Sequence, residues 1–154
     1  MMEKKIAPAM TVLAIELKTN MQMLKQILED KPRRLVSDAV SNGFHVTGPQ
    51  YWVYTWAELD PNADFMLKIC LPVATFGNPH QESEFRLEKL PPFMHVSTEH
   101  LGSWELLGES YSKLMAQMTA SDLKPSMVCR EVYINCDFEK PENNRTEIQF
   151  GILN

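Results

Sequence analysis

The stretch VCREVYIN, Val128 to Asn135, sets a glutamate among strand-forming residues. Alternation along a strand puts Glu131 on one side with Cys129 and Tyr133, so that a carboxylate stands beside a phenol. Two kinds of chemistry suit that pairing. A carboxylate among aromatic rings holds an organic cation, each ring face adding about 0.5–2 kcal/mol. The same carboxylate can activate a water as a general base. Taken alone, Glu131 also reads as an exposed strand residue paired to a lysine. A second aromatic group, Trp52, Tyr54 and Trp56, alternates behind Gln50 in QYWVYTW and is either a half-buried strand face or the wall of a ligand site. Trp104 and Tyr111 fall at helical spacing, which reads as core, although Trp104 opens its helix and so lies near the rim of any cleft.

Other chemistries find little support in the chain. His95 and His100 fall on opposite sides of one predicted strand, and His45 and His80 are isolated. No metal site or cofactor is expected. There is no glycine-rich phosphate loop. The formal net charge is −5, and the one dense basic run, KPRR at Lys31 to Arg34, follows acidic residues and reads as a solvated helix face. Direct nucleic-acid binding is therefore not expected. Cys70, Cys129 and Cys136 are odd in number and lack zinc spacing, which points to a reducing cytoplasm. The basic start and apolar run of the N-terminus end at Glu16 and Lys18 and read as a first strand, not a leader. No stretch has the length of a membrane span. The ten methionines read as core filler, of a kind that also suits a pocket accepting varied shapes.

The elements that must position these residues follow from periodicity. Leu13, Ile15 and Leu17 mark a first strand, and residues from Leu24 to Val40 recur at helical spacing up to Gly43, with Pro32 starting a second helical segment or kinking a single one. Strands are predicted around Gln50–Trp56 and Phe65–Val73, joined by the turn-rich ELDPNAD. A strand at Phe93–His100 opens the second half. Trp104, Leu107, Tyr111, Leu114 and Met118 then give one face of a helix capped by Ser103. Strands at Met127–Asn135 and Thr146–Ile152 close the chain.

Each half thus reads β-α-β-β. Setting Val12 over His95, an offset of 83, matches Glu16 to Glu99 and Leu24 to Leu107; in the hairpins an offset of 79 sets Trp52 on Glu131, Tyr54 on Tyr133 and Ile69 on Ile148. The expected fold is α+β: one domain over residues 1–154, with duplicated β-α-β-β modules at about 10–75 and 84–154. A pseudo-two-fold would relate the modules, and their antiparallel sheets would form a central ligand cleft. Trp52 should stand opposite Glu131. Val128, Val132 and Ile134 make the aliphatic side of their strand, so the helices are expected over that side and the cleft on the other.

HLGSW ahead of a helix, REVYIN on a strand, the DFEKPENN loop and the terminal TEIQFGI together resemble the GyrI-like small-molecule-binding family, which includes effector domains of AraC-type and multidrug-responsive MerR-type transcription regulators. The resemblance runs from Met10 to Leu153, and its most specific element is the glutamate-x-tyrosine strand combined with the terminal acid-isoleucine strand. Trp104 stands where that family usually has tyrosine, and Gly151 where it usually has proline. The resemblance implies an aromatic cleft with an acid at its base that binds lipophilic organic cations, with Glu131 at the acidic position and Tyr133 and Trp104 at aromatic ones.

The function expected on these grounds is a stand-alone binding module for amphipathic or lipophilic cations, serving drug sensing or sequestration. Its ligand residues would be Glu131, Tyr133, Trp52, Tyr54, Trp104 and Trp56, with burial raising the Glu131 pKa. Two alternatives stand beside it. One is a hydrolase of cyclopropane-containing toxic electrophiles, an activity the resemblance also implies, with Glu131 activating a water and Tyr133 or Trp104 holding the substrate. The other is a gyrase-inhibitor-like interaction protein. The expected partners are the small cation itself and a separate DNA-binding regulator or a second copy in a homodimer, without direct contact to DNA or membrane.

Overall fold

The computed structural model describes residues 2–58, 60, 62–75 and 83–153. His80, taken above as an isolated histidine, lies outside them, as do Leu59 and Pro61 of the predicted turn. The strands are β1 (Lys5–Ala7), β2 (Met10–Thr19), β3 (His45–Val46), β4 (Tyr51–Trp56), β5 (Phe65–Ala74), β6 (Arg86–Leu90), β7 (Phe93–Leu101), β8 (Pro125–Asn135) and β9 (Arg145–Ile152). Two helices join them, α1 (Leu24–Ser41) and α2 (Leu107–Ala120). The sheet order is β1-β7-β9-β8-β4-β5-β2-β6, with β3 beside β5, and every pairing is antiparallel.

That order reads the same from either end. β2-α1-β4-β5 and β7-α2-β8-β9 are the two predicted modules, and they meet at the β4–β8 pair. Trp52 is the Cα partner of Glu131 there, and their flanking partners, Ile69 and Ile148, are also repeat mates. The pseudo-two-fold axis therefore passes between Trp52 and Glu131. The short strands β1 and β6 were not foreseen. Each leads one module but pairs with the first strand of the other, β1 with β7 and β6 with β2. Only residues 8–9 separate β1 from β2, and only residues 91–92 separate β6 from β7. A link that short spans about 10 Å, so the two edges of the sheet are drawn together and the sheet curls into a half-barrel.

Helix α1 follows a 3-10 turn at Met21–Met23, where the Asn20 side chain caps by accepting from the Met23 N–H at 3.1 Å. It runs unbroken through Pro32 and ends where the Asn42 N–H meets the Asp38 carbonyl and Gly43 takes φ +83°. The Pro32 carbonyl receives the Gln50 side-chain amide at 2.9 Å, which ties the helix to the start of β4. Leu35 and Ala39 of α1 are fully buried against Leu13, Trp52, Tyr54, Phe65, Leu67 and Ile69. Burying a leucine in this way is worth about 1.5–3 kcal/mol. On the other module, Leu114 and Met118 of α2 pack with Val96, Cys129, Ile148 and Phe150.

These contacts correct one expectation. The helices cover the face that carries Trp52, Tyr54, Cys129 and Glu131, not the one with Val128, Val132 and Ile134. Val128 instead packs with Val12, Ala14, Val53, Cys70 and Leu90 on the opposite face, and Ile134 is exposed. The residues expected to line the cleft and the helices share one side because a helix laid across each half leaves the middle of the sheet, at the axis, between them.

Candidate functional site

β8 brings Glu131 to the centre of the sheet, 6% exposed and on the helix side. A carboxylate left bare there would lose several kcal/mol of hydration. Three phenols answer that loss. Tyr133, two residues along the strand, donates to Oε1 at 2.6 Å, and Tyr54 of β4 donates to the same oxygen at 3.3 Å. Tyr111 of α2 donates to Oε2 at 2.6 Å. Burial pushes the Glu131 carboxyl above its usual value, while the hydroxyls of Tyr111, Tyr133 and Tyr54 and the field of His100 pull it part of the way back. Burial, and after it the negative field of Glu131, holds all three phenols well above their usual value, so they remain donors at neutral pH.

Aromatic rings surround this cluster. Trp52 meets Tyr133 edge-on at 5.5 Å between centroids, and Trp104 meets the same ring at 5.6 Å. Trp104 is fixed by its indole N–H, which donates to the Thr146 hydroxyl at 3.1 Å, and it touches the exposed Phe138 at 5.7 Å. Tyr54 stacks on Trp56 at 6.4 Å, and Trp56 packs on Phe65 at 4.3 Å. All six residues read from the sequence are thus linked in one aromatic and acidic group. Glu131, Tyr133, Tyr54 and Trp52 sit at its centre, Trp104 on the α2 side, and Trp56 furthest out, toward the hairpin end of β4.

Tyr111 is the donor that sequence reasoning assigned to the core. Its helical spacing with Leu107, Leu114 and Met118 is that of a core face, and since α2 lies on the site's own side of the sheet, one face serves both purposes. A tyrosine on an otherwise aliphatic helical stripe was the available signal, because a buried phenol needs a partner. Thr146 and Phe138 carried no signal of their own. The Trp52 indole N–H is buried without a partner, an unused donor within the group. His95 and His100 do fall on opposite faces of β7: His95 bonds the Phe93 carbonyl, and His100 bonds Ser110 and the Ser103 carbonyl. Among the described residues no cluster of His, Cys, Asp or Glu is arranged to hold a metal ion, and no helix is long and apolar enough to cross a membrane.

No protein-family model and no curated protein matches the chain. Solved structures do. The EcmrR C-terminal domain is 19% identical with a TM-score of 0.80, covering 99% of this chain and 97% of that one. In the EcmrR–DNA complex the match covers 57% of the EcmrR chain, at 21% identity and a TM-score of 0.79. SAV2435 bound to tetraphenylphosphonium is 13% identical with a TM-score of 0.64, covering 99% and 94%. A hydrolase encoded by lin2189 from Listeria innocua is 14% identical with a TM-score of 0.66, covering 98% and 91%. The chain has the fold these proteins share, the α+β cleft fold that the GyrI-like resemblance implies.

Proposed function

We propose that the chain binds a lipophilic organic cation between its two helices, with Glu131 as the counter-charge and Trp52, Tyr54, Trp56, Trp104 and Tyr133 as the aromatic surround. The observation that carries this reading is the carboxylate itself: buried, on the symmetry axis, hydrogen-bonded by three neutral phenols and, among the described residues, in no salt bridge. Hydroxyl donors stabilise its charge without cancelling it, so a cation still gains the full attraction. Oε2 accepts a single hydroxyl where Oε1 accepts two, which leaves acceptor capacity on the Tyr111 side. The half-buried rings of Trp104, Tyr111 and Tyr133 mark the way in. That SAV2435, a protein of the same fold, binds tetraphenylphosphonium supports the ligand class.

Tetraphenylphosphonium titrated against tryptophan emission tests this. It should quench with micromolar affinity, while the neutral triphenylphosphine oxide binds about tenfold more weakly or less. Glu131→Gln should remove the preference for charge. Equal affinity of the wild type for both compounds would refute the electrostatic role of Glu131.

A second reading is a hydrolase acting on cyclopropane-containing electrophiles. The 2.6 Å contacts of two phenols with Glu131 favour it, since a carboxylate of raised pKa within proton-transfer reach of hydroxyls is suited to general acid–base work. Turnover that depends on Glu131 would put this reading first.

A further inference from the structure

Arg130, the neighbour of Glu131 on β8, points to the other face of the sheet. It is 2% exposed, and its Nη2 donates to the Pro91 carbonyl at 3.1 Å with the guanidinium 4.2 Å above the Phe93 ring. Pro91 belongs to the short link between β6 and β7, so that link crosses the face Arg130 occupies, which is the inside of the curl. Nε and Nη1 are buried and have no hydrogen-bond partner. No carboxylate among the described residues forms an ion pair with Arg130. A ring face and one carbonyl are poor compensation for a buried cation.

A cavity of about 370 Å³ opens on the same face. Phe93, Met94, Leu90 and Val128 give it apolar walls, Arg130 lies among its deep residues, and Glu16 and Lys68 stand at its more exposed rim. The backbone around it is unusually shaped. β8 breaks register between Pro125 and Cys129, with Met127 at φ +69°, and Gly151 lies so close that a Cβ there would sit 2.6 Å from the Val128 carbonyl and 2.9 Å from the Phe93 ring. Of these features Met127 is the strained one, since a non-glycine residue rarely takes that φ, and such residues cluster at ligand sites.

We propose that this inner cavity is a second ligand site, distinct from the Glu131 cluster, which takes an organic monocarboxylic acid with a short apolar body, its carboxylate on Arg130. The charge requirement comes from the unused guanidinium donors and the body from the walls. Lys68 is already paired with Glu88 at 2.9 Å and Glu16 at 3.6 Å, so it offers no charge to a second carboxylate and the ligand takes one acid group only. Nε and Nη1 are closed from solvent, so the acid reaches them by parting the side chains of the lining. Met94, 38% exposed and unbranched, turns aside at least cost.

The test is a titration of methyl-13C-methionine protein with 4-phenylbutyrate and, separately, with 4-phenylbutyramide. Met66 and Met94 line the cavity and report on it directly. The acid should shift both signals saturably, about tenfold more tightly than the amide. Arg130→Met should abolish that preference, and saturating tetraphenylphosphonium should not compete. Because Arg130→Met alters a buried position, Thr55→Glu supplies a second check: Thr55 is exposed on β4 and lines the cavity, so a carboxylate there should repel the acid. No saturable shift up to about 10 mM, equal affinity for acid and amide, or unchanged acid affinity in Thr55→Glu would each overturn the proposal.

Discussion

Arg130 and Glu131 are adjacent residues of one strand, both buried, of opposite charge, and directed to opposite faces of the sheet. Their surroundings differ in kind. Glu131 accepts hydrogen bonds from three phenols drawn from three elements, whereas Arg130 makes one hydrogen bond and leaves two nitrogens unmatched. The difference follows from what lies over each face. α2 stands over the outer face and can send a long side chain down onto the strand. Over Arg130 the inner face is crossed by the Pro91–Pro92 link, which brings it one carbonyl, too few acceptors for a guanidinium with five N–H donors. A carboxylate is thus satisfied from within the fold, and a guanidinium is not.

The strongest way to break the inner side of this comparison is to fill the space at Gly151. Gly151→Ala forces a methyl against the Ser126 hydroxyl, the Val128 carbonyl and the Phe93 ring, and backbone cannot move aside as a side chain can. Denaturant unfolding should show a loss of about 3 kcal/mol. A loss below about 1 kcal/mol would mean that the bulge in β8 yields easily and is no fixed part of the cavity.

The outer side is broken more gently by Tyr111→Phe, which removes one donor at 2.6 Å while keeping the ring on α2. A charge-assisted bond of this kind is worth about 2 kcal/mol at neutral pH. The loss should shrink as acid protonates Glu131, because a neutral carboxyl depends less on the hydroxyl. Unfolding curves near pH 7 and pH 4 separate the two contributions. An identical loss at both would show that Tyr111 acts by packing alone.

The smallest effect tests the charge itself. With its folded pKa raised above the unfolded value, Glu131 binds its proton more tightly in the folded state. Its contribution is most favourable below the unfolded pKa and declines as pH rises through the folded one. Glu131→Gln should therefore be as stable as the wild type, or more stable by up to about 1 kcal/mol, at neutral pH. In acid that advantage should fade. A variant clearly less stable at neutral pH would show instead that the tyrosine hydrogen bonds outweigh burial.

Much of the outer face was legible in the sequence. Glu131 and Tyr133 share a strand face by simple alternation, and the repeat set Trp52 opposite Glu131 before any coordinates did. The side taken by the helices was not legible, because Val128, Val132 and Ile134 look like a core stripe, although one of them ends in solvent and another packs inside the curl. β1 and β6 escaped notice for a related reason. KIA and RLEKL carry little strand character of their own, and their partners lie in the opposite module, beyond the reach of a local pattern. Pro32 marks a possible break, yet the helix runs through it because Leu35 and Ala39 beyond it are held by the core. The state of Arg130 depends on which groups fail to reach it, and a sequence does not record that.

The exchange of leading strands bears on how such a chain could be assembled. Taken by itself, either half has a leading strand with nothing in its own module to pair with, and a first strand whose outer edge is bare. Two copies of one half meet both needs by trading leading strands across an axis, so the present chain is a swapped dimer with its two members tied end to end. The tie matters most on the axis. In a dimer of identical halves the two residues facing each other there must be the same, and a pair of glutamates at cross-strand distance would repel. Joining the halves frees the two positions to differ, with tryptophan in one and glutamate in the other. A single negative charge at the centre of a two-fold fold requires that asymmetry.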